Sequence, residues 1–476
     1  MTAAPSNAGF EVAIVGGGIV GVITAIGLLK RQIPVRIYEQ SRAFRELGAG
    51  VAFTANALKC MSLLDPAIVA AVNAVATPNG EQPEKPNNYM RWHDGYTWDW
   101  TRPADQQQEE DPLLFRLPTA NGGFQGCHRA QLLDELVKSI PPEIVHFGKR
   151  LVGYKGGGQG EKLVMEFLDG TTASADLVIG CDGIKSKVRQ LLNGADNPAS
   201  YPHFSHIVAY RALIPMDRAV PLLGRFKAYN QHMHTGPGAH IQHYPVAGGS
   251  VLNVVAFVTD PADWPLGSYD VVGSMTAPAT KAEVEAAFKG WGPTVTNIVS
   301  LLPDKMDKWA LFDTYDHPLA SYVGGRVCLA GDAAHGSSPH HGMGAGVGVE
   351  DALTLATLLE MVRDDAAKDG TADVPRMLED ALSVYDEVRL PRGNWLVQSS
   401  RQVCDIYEWT YPATGRDWDK CLAEITARSH KLWYFDIDGM LDKVNGSFRK
   451  MHPAPGNGAG ARVTVAVGLG TVPPVV

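Results

Sequence analysis

"EVAIVGGGIVGVITAIGLLKRQIPVRIYEQ" (Glu11–Gln40) is the stretch from which the fold is read. Val12–Val15 is a short apolar run, the pattern of a parallel strand buried on both faces. Gly16, Gly18 and Gly21 follow at the G-x-G-x-x-G spacing. The first glycine allows a tight turn, the second lets backbone approach a pyrophosphate, and the third lets helix and strand pack closely. The apolar helix behind them turns unpaired N–H groups and the positive end of its dipole toward the phosphates. Val35–Tyr38 reads as the next strand. It ends at Glu39, about 20 residues beyond the glycines, where a carboxylate meets a ribose hydroxyl. This is a βαβ dinucleotide-binding unit, and the motif alone does not separate FAD from NAD.

The bulk composition narrows the class. A chain of 476 residues is too long for one core and implies two or three domains. Hydrophobic residues at 45% and charged residues at 20% describe an ordinary globular protein. A net charge of −9 without a basic run argues against nucleic acid as a partner. Met1–Phe10 has no basic signal-peptide start. The apolar segment at Val12 is broken by glycines and runs into Lys30 and Arg31, so neither a signal peptide nor a membrane span is expected. Cys60, Cys127, Cys181, Cys328, Cys404 and Cys421 are scattered without a C-x-x-C. They read as reduced thiols of a cytoplasmic protein, neither disulfides nor zinc ligands, and no metal site is expected.

The remaining chain divides by pattern. Around Gly48, Gly50 and Ala52 small residues let backbone approach a ring system. Residues 78–112 are polar, Pro-rich and aromatic, as a surface excursion would be. "GCHRAQLLDELVKSI" is an amphipathic helix starting near Arg129. In 150–183 a meander of strands is expected, with "GGGQG" as a hairpin loop. Runs such as "HIVAYRALIPM", "HIQHYPV" and "VLNVVAFVTD" alternate as strands of a second domain. From Pro375 the chain reads as helical, with a kink expected at Pro391. The expected fold is α/β: a Rossmann-like domain, a β-sheet substrate domain and a C-terminal helical region. The expected boundaries are 1–80, 113–200 and 310–365 for the discontinuous dinucleotide-binding domain and 81–112 for the excursion. The substrate domain takes 201–309, the helical region 366–451, and a mobile tail 452–476. A further G-x-G-x-x-A at Gly456, Gly458 and Ala461 precedes a strand instead of following one and is read as chance.

Two later motifs bear on the cofactor. "RVCLAGDAAHGSSPHHGMGAGVGVEDALTLATLLEMV" (Arg326–Val362) reads as a strand ending at Gly331-Asp332, a glycine-rich loop and an apolar helix. Asp332 can accept hydrogen bonds from a sugar or ribitol hydroxyl. The helix N-terminus beside it would stabilise negative charge on the N1–C2 edge of a reduced flavin. "ADLVIGCDGIKSKVR" adds a strand, Asp182-Gly183 and a basic helix start.

Together the glycine fingerprint, the D-G element and the G-D-A-A-H element resemble the group A flavoprotein aromatic hydroxylases, the salicylate and p-hydroxybenzoate hydroxylase superfamily. The resemblance spans roughly Glu11–His452 and implies non-covalent FAD with NADH or NADPH as a transient co-substrate. It implies that Glu39 meets the adenosine ribose, and that Ala52, Arg129 and Ala345 contact the flavin. Asp332 would meet the ribitol, and Asp182 would serve FAD and the pyridine nucleotide. Segments such as "ELGAGVAFTANALKCMSLLDPAIV", "VAYRALI", "HIQHYPVA" and "SPHHGMGAGVGVEDAL" are similar to the fungal phenol-dearomatising monooxygenases of the 3-methylorcinaldehyde type. That likeness implies a small phenolic substrate, O2, and catalytic roles for Arg211 and Tyr244 on the substrate phenolate. A homodimer is a possible assembly.

Rival readings share these motifs. Simple or decarboxylating hydroxylation of salicylate type differs only in its product. A flavin halogenase would need chloride and a separate reductase, and a cofactor-sensing protein would bind without turnover. Trp98–Pro103 resembles the halogenase W-x-W-x-I-P but carries Arg102 at the apolar position, and is read as a decoy. His335 is read as a loop brace in preference to a base. His340 and His341 are expected to pass the flavin ring, either moving protons or shaping the loop.

Overall fold

Short strands, fully apolar at the centre, assemble the first sheet, in the order Val323–Gly324, Val327–Leu329, Leu177–Gly180, Val12–Val15, Val35–Glu39, Val145–Phe147. All neighbours are parallel except the outermost pair. Val12 stands between Leu177 and Val35 in register. The three motifs therefore leave neighbouring strands at one edge, the carboxyl edge at which open α/β sheets bind ligands. The computed structural model describes residues 9–44, 50–82, 88–103, 109–119, 125–158, 160–264, 274–369 and 372–453. Gly48 and the tail from residue 454, including the Gly456 match, lie outside them.

Helix Ile19–Lys30 packs against helix Gly344–Lys368. The contact is close because of glycine: a Cβ on Gly348 would lie 2.6 Å from Val20 Cγ2. Strands Leu151–Gly156, Leu163–Phe167 and Thr172–Ala175 form the expected meander, and the glycine-rich hairpin turns through Gly156 and Gly157 at φ +83° and +85°.

A second sheet has eight strands, in the order Thr276–Thr280, Lys305–Asp313, His203–Pro215, Val251–Thr259, Ala239–Val246, His232–Gly236, Tyr89–Asp94, Leu113–Pro118. The last two correct the expected excursion. Tyr89–Asp94 pairs in parallel with His232–Gly236. Trp92 is 1% exposed and stacks on Phe115 at 5.1 Å. Leu113–Pro118 likewise belongs to this sheet and not to the dinucleotide unit, and Lys305–Asp313 runs across the boundary drawn at 310. The polar flanks hid a short strand whose hydrogen-bonding partner comes much later in the chain. A small sheet, Gly50–Phe53, Gln125–His128 and Thr77–Pro78, completes the β structure.

The C-terminal region is helical: Val374–Tyr407, Trp418–Trp433 and Ile437–Met451. The first of these is uninterrupted at Pro391, where a kink was expected. Arg389 and Arg392, on either side of the proline, are tied to buried Asp351 and Glu350 and hold the helix in place.

One face of the second sheet carries four buried imidazoles, placed by the cross-strand pairs His232–His243 and His234–His93. His93 Nε2 and His232 Nδ1 are 2.9 Å apart, and the Nε2 atoms of His234 and His243 are 3.0 Å apart. Asp111 meets His234 Nδ1 at 2.7 Å and Lys227 Nζ at 3.0 Å. Burial pushes His93 down to about 4, although Asp111 opposes it, and holds His232 and His243 well below the usual imidazole range. An imidazole whose folded pKa is depressed contributes stability above its unfolded value, and that stability is lost as pH falls through it. Lowering the pH from about 7 to about 5 should cost on the order of 2 kcal/mol through His93 alone. The melting temperature is expected to fall over that range, and less steeply in His93→Gln.

Candidate active site

The carboxyl edge of the first sheet faces three strands of the second across a cleft of about 300 Å³ that opens to solvent. Its cofactor wall begins at the first βα turn. Gly16 adopts φ +109°, and a Cβ there would lie 2.3 Å from the Cys181 carbonyl oxygen. A Cβ on Gly21 would lie 2.2 Å from the Gly16 carbonyl oxygen, so helix and strand touch through backbone. Gly18 lines the cleft itself. Glu39 accepts the Gly17 amide on one carboxylate oxygen and the Ser41 amide on the other, both at 2.7 Å. Each oxygen keeps a lone pair for a sugar hydroxyl.

The G-D-A-A-H turn is set from behind. Gly331 takes φ +60° and donates its N–H to Asp351 Oδ2 at 3.0 Å. The same oxygen meets His335 Nε2 at 2.6 Å, and Arg389 Nε reaches Asp351 Oδ1 at 2.8 Å. Burial pushes the Asp351 carboxyl up, but His335 and Arg389 outweigh it and hold it below the usual range. His335 is fully buried and absent from the cleft wall, which makes it a brace. Arg189, also fully buried, donates to the carbonyls of Ala333 at 3.0 Å and Asp332 at 3.4 Å. The Asp332 side chain is left facing the cleft. Beyond it the turn at Gly342, φ +66°, starts helix Gly344–Lys368, so Ala345 and the positive end of a long helix meet the cleft. Ala52 and Arg129 close this wall from strand Gly50–Phe53 and from the start of helix Arg129–Leu136.

Asp182 is placed differently from the expectation. Its carboxylate accepts Ser186 Oγ at 2.5 Å and the amides of Lys187 and Val188 at 2.7 and 3.0 Å. It holds the start of the next helix, while its neighbours Cys181 and Gly183 line the cleft.

The opposite wall is the second sheet. Arg211, Val255 and Gln242 form one row across three strands, with Asn253 and Tyr244 paired in the adjoining register. Arg211 has no carboxylate within ion-pairing distance among the described residues, and its guanidinium lies 5.1 Å from the Trp309 ring. Tyr244 is buried with its hydroxyl against Gly50, where a Cβ would come within 2.1 Å of it, and its ring against Gly126. Burial pushes its hydroxyl up to about 12 against the pull of Arg211, so at neutral pH it is a hydrogen-bond donor. Gln242, Asn253, Phe257, Ser337 and Ser338 were not singled out in the sequence. Only Gln242 left a trace there, two residues before Tyr244 on the same strand face.

The loop histidines are neutral. His340 Nδ1 contacts Ser338 Oγ at 3.0 Å and His341 Nε2 contacts Ser399 Oγ at 2.9 Å. Burial pushes the first well down and the second to about 3. Trp98–Pro103 lies away from the cleft, with Trp100 Nε1 on the Trp291 carbonyl at 3.2 Å.

The family described as FAD binding domain matches residues 9–199 and 269–399. The chain belongs to it. It is 52% identical over 440 residues to the FAD-dependent monooxygenase pigN of Monascus ruber, covering 92% of this chain and 97% of that one. It is 48% identical to the salicylate hydroxylase asL1 of Sarocladium schorii, covering 92% and 91%. Among solved structures, a salicylate hydroxylase substrate complex superposes with a TM-score of 0.76 at 29% identity, over 92% of this chain and 98% of that one. The enzyme is a flavin-dependent monooxygenase of the salicylate hydroxylase type with FAD as cofactor, and its relatives are fungal proteins. Gly18, which lines the cleft at the start of helix Ile19–Lys30, sets unpaired helix N–H groups where the pyrophosphate of that group fits. No helix among the described residues is long and apolar enough to cross a membrane.

Asp332→Ala should remove a charge-assisted hydrogen bond to the ribitol and weaken FAD binding about ten- to a hundred-fold. Flavin retained by the variant after dilution and ultrafiltration, read by absorbance, checks this. Full retention would leave Asp332 as a helix-start residue only.

Proposed function

We propose that this FAD-dependent enzyme uses NAD(P)H and O2 to oxygenate a phenolic polyketide of orcinaldehyde or resorcinol type, with dearomatisation as the outcome. The observation that carries the reading is Arg211: a guanidinium in the cleft wall, with no carboxylate partner among the described residues, beside a neutral Tyr244. Bound FAD, once reduced, activates O2 and supplies an electrophilic oxygen atom.

The protein supplies the nucleophile. A phenol seated against the second sheet loses its proton more easily beside a permanent positive charge, and the planar guanidinium holds the resulting oxyanion in a fixed orientation. Tyr244 donates its hydroxyl hydrogen to the same oxygen or to its neighbour, and thereby sets which ring carbon faces the cofactor wall. Gln242, on the same strand face, offers an amide to a second ring substituent. Val255 and Phe257 cover the site with apolar surface and displace water. An attacked carbon bearing an alkyl group cannot rearomatise, so a dienone remains; one bearing hydrogen yields an ordinary hydroxylated phenol.

The second reading, simple or decarboxylating hydroxylation, is favoured by the salicylate hydroxylase likeness. Substrate-dependent NAD(P)H consumption with alkyl resorcinols, orcinaldehydes and salicylates, followed by product NMR, separates the two. A dienone from an orcinaldehyde supports the proposal, whereas turnover of salicylates alone overturns it.

Arg211→Lys and Tyr244→Phe should each keep full FAD content. Each should slow oxygen transfer about ten- to a hundred-fold, the worth of one lost charge-assisted or buried hydrogen bond. The activity profile of both variants should move to higher pH, because the phenol must ionise with less help. Product and peroxide release, measured across neutral to alkaline pH, give both quantities. Wild-type rates and profile in both variants would remove these residues from the mechanism.

A further inference from the structure

On the same face of the second sheet as the substrate wall, next to Phe257, three modules meet at a second group of side chains. His240 comes from strand Ala239–Val246 and His340 from the turn after the G-D-A-A-H element. Cys404 comes from the long helix Val374–Tyr407. One ligand atom from each lies within 4.8 Å of the other two, and all three residues are buried. The outer ring nitrogens are already engaged: His240 Nδ1 with Glu408 Oε1 at 3.0 Å, and His340 Nδ1 with Ser338 Oγ at 3.0 Å. The remaining nitrogens, His240 Nε2 and His340 Nε2, are both buried without a hydrogen-bond partner among the described residues.

Two buried imidazoles that each leave a ring nitrogen unpaired carry a desolvation cost with nothing in the described structure to offset it. The surroundings are those of a metal ligand shell. A ligating histidine almost always gives its second ring N–H to a carboxylate or another acceptor, which fixes ring and tautomer. Glu408 does this for His240 and is itself held by Thr259 Oγ1 at 2.5 Å. Cys404 stands one helical turn before Glu408, its S–H donating at 3.6 Å to Oε1, the carboxylate oxygen that meets His240. Tyr407 and Phe257 pack around the imidazoles, at 5.5 and 4.6 Å from the His240 ring.

We propose that His240, His340 and Cys404 bind one Zn2+ ion. Two imidazoles and a thiolate are the donors this borderline-soft ion prefers, and three protein ligands leave a fourth position for water. On binding, the Cys404 S–H proton leaves to solvent, the sulfur forms the metal bond, and both histidines enter neutral. The carboxylate of Glu408 balances the remaining positive charge through His240. The ion would join the substrate sheet, the flavin loop and the C-terminal helices at one point. Its ligands come from segments far apart in sequence, which is why no metal-ligand spacing is visible there. The proposal does not depend on the substrate assigned above.

The test uses the FAD-loaded full chain, stripped of metal by a chelator and titrated with Co2+ as the probe and with Zn2+. The wild type should take up one equivalent, with a thiolate-to-Co2+ charge-transfer band in the near ultraviolet and a higher melting temperature in Zn2+. Cys404→Ser should lose the band and the thermal shift while keeping its FAD. Glu408→Gln should keep the band but bind about ten- to a hundred-fold more weakly, as removal of a ligand-orienting partner does. Absence of stoichiometric uptake by the wild type would overturn the proposal and leave a trapped water between the imidazoles. Uptake unchanged in Cys404→Ser would overturn it equally, since the metal would then sit elsewhere. Should Cys404→Ser fail to fold, His340→Gln gives the same decision through loss of uptake.

Discussion

The buried charges around Asp351 hold the molecule's working edge in shape. Asp351 and Glu350 are adjacent on helix Gly344–Lys368 and fully buried, and face Arg389 and Arg392 of the neighbouring helix. Burying four charges is costly, and removing one partner of such a group typically costs about 3–5 kcal/mol because another charge is left unpaired. What the network secures is geometry. Through Gly331 and His335 it fixes the strained turn that presents Asp332, and through Glu350 it reaches Asn56, behind the strand carrying Ala52. The cofactor wall is thus tied to the C-terminal helices without any of those helices entering it.

The two walls of the cleft obey different rules. On the cofactor side the chain offers backbone: glycines at close approach, helix starts, and carboxylates already engaged with amides. On the substrate side it offers side chains standing on strands, where alternation exposes every second residue to the cleft. The first kind of surface suits a cofactor whose shape does not vary. The second can be altered one residue at a time without disturbing the sheet that carries it.

This difference also explains how much was legible in the sequence. Glycine spacing, the acid at Glu39 and the G-D-A-A-H turn are local patterns, each dictated by a backbone conformation, and they placed the first sheet and most of the cofactor wall. Arg211 and Tyr244 were named through a family resemblance, and both line the cleft. Their partners Gln242 and Asn253 became visible only once strand register was known. Tyr89–Asp94 escaped because its strand partner is remote, and the polar flanks outweighed Trp92. Asp182 fits its motif in sequence, yet its carboxylate turns to the following helix while its neighbours face the cleft. The place of His93 in the imidazole group and the His240–His340–Cys404 cluster arise from pairings between distant segments, which periodicity does not encode.

The parallel pairing of Tyr89–Asp94 with His232–Gly236 bears on how the chain assembles. The hairpin formed with Leu113–Pro118 is synthesised well before the strands it joins. Until the C-terminal helices also emerge, Trp92 and Leu117 lack the side chains that cover them, and closing so long a loop carries an entropic cost that slows folding. Nor can the N-terminal portion, cut off after the first βα units, hide this surface. Nascent chains would then rely on chaperones until the second sheet is complete, and a gene fusion that splits the protein between its two sheets would yield fragments that aggregate instead of half-enzymes that work.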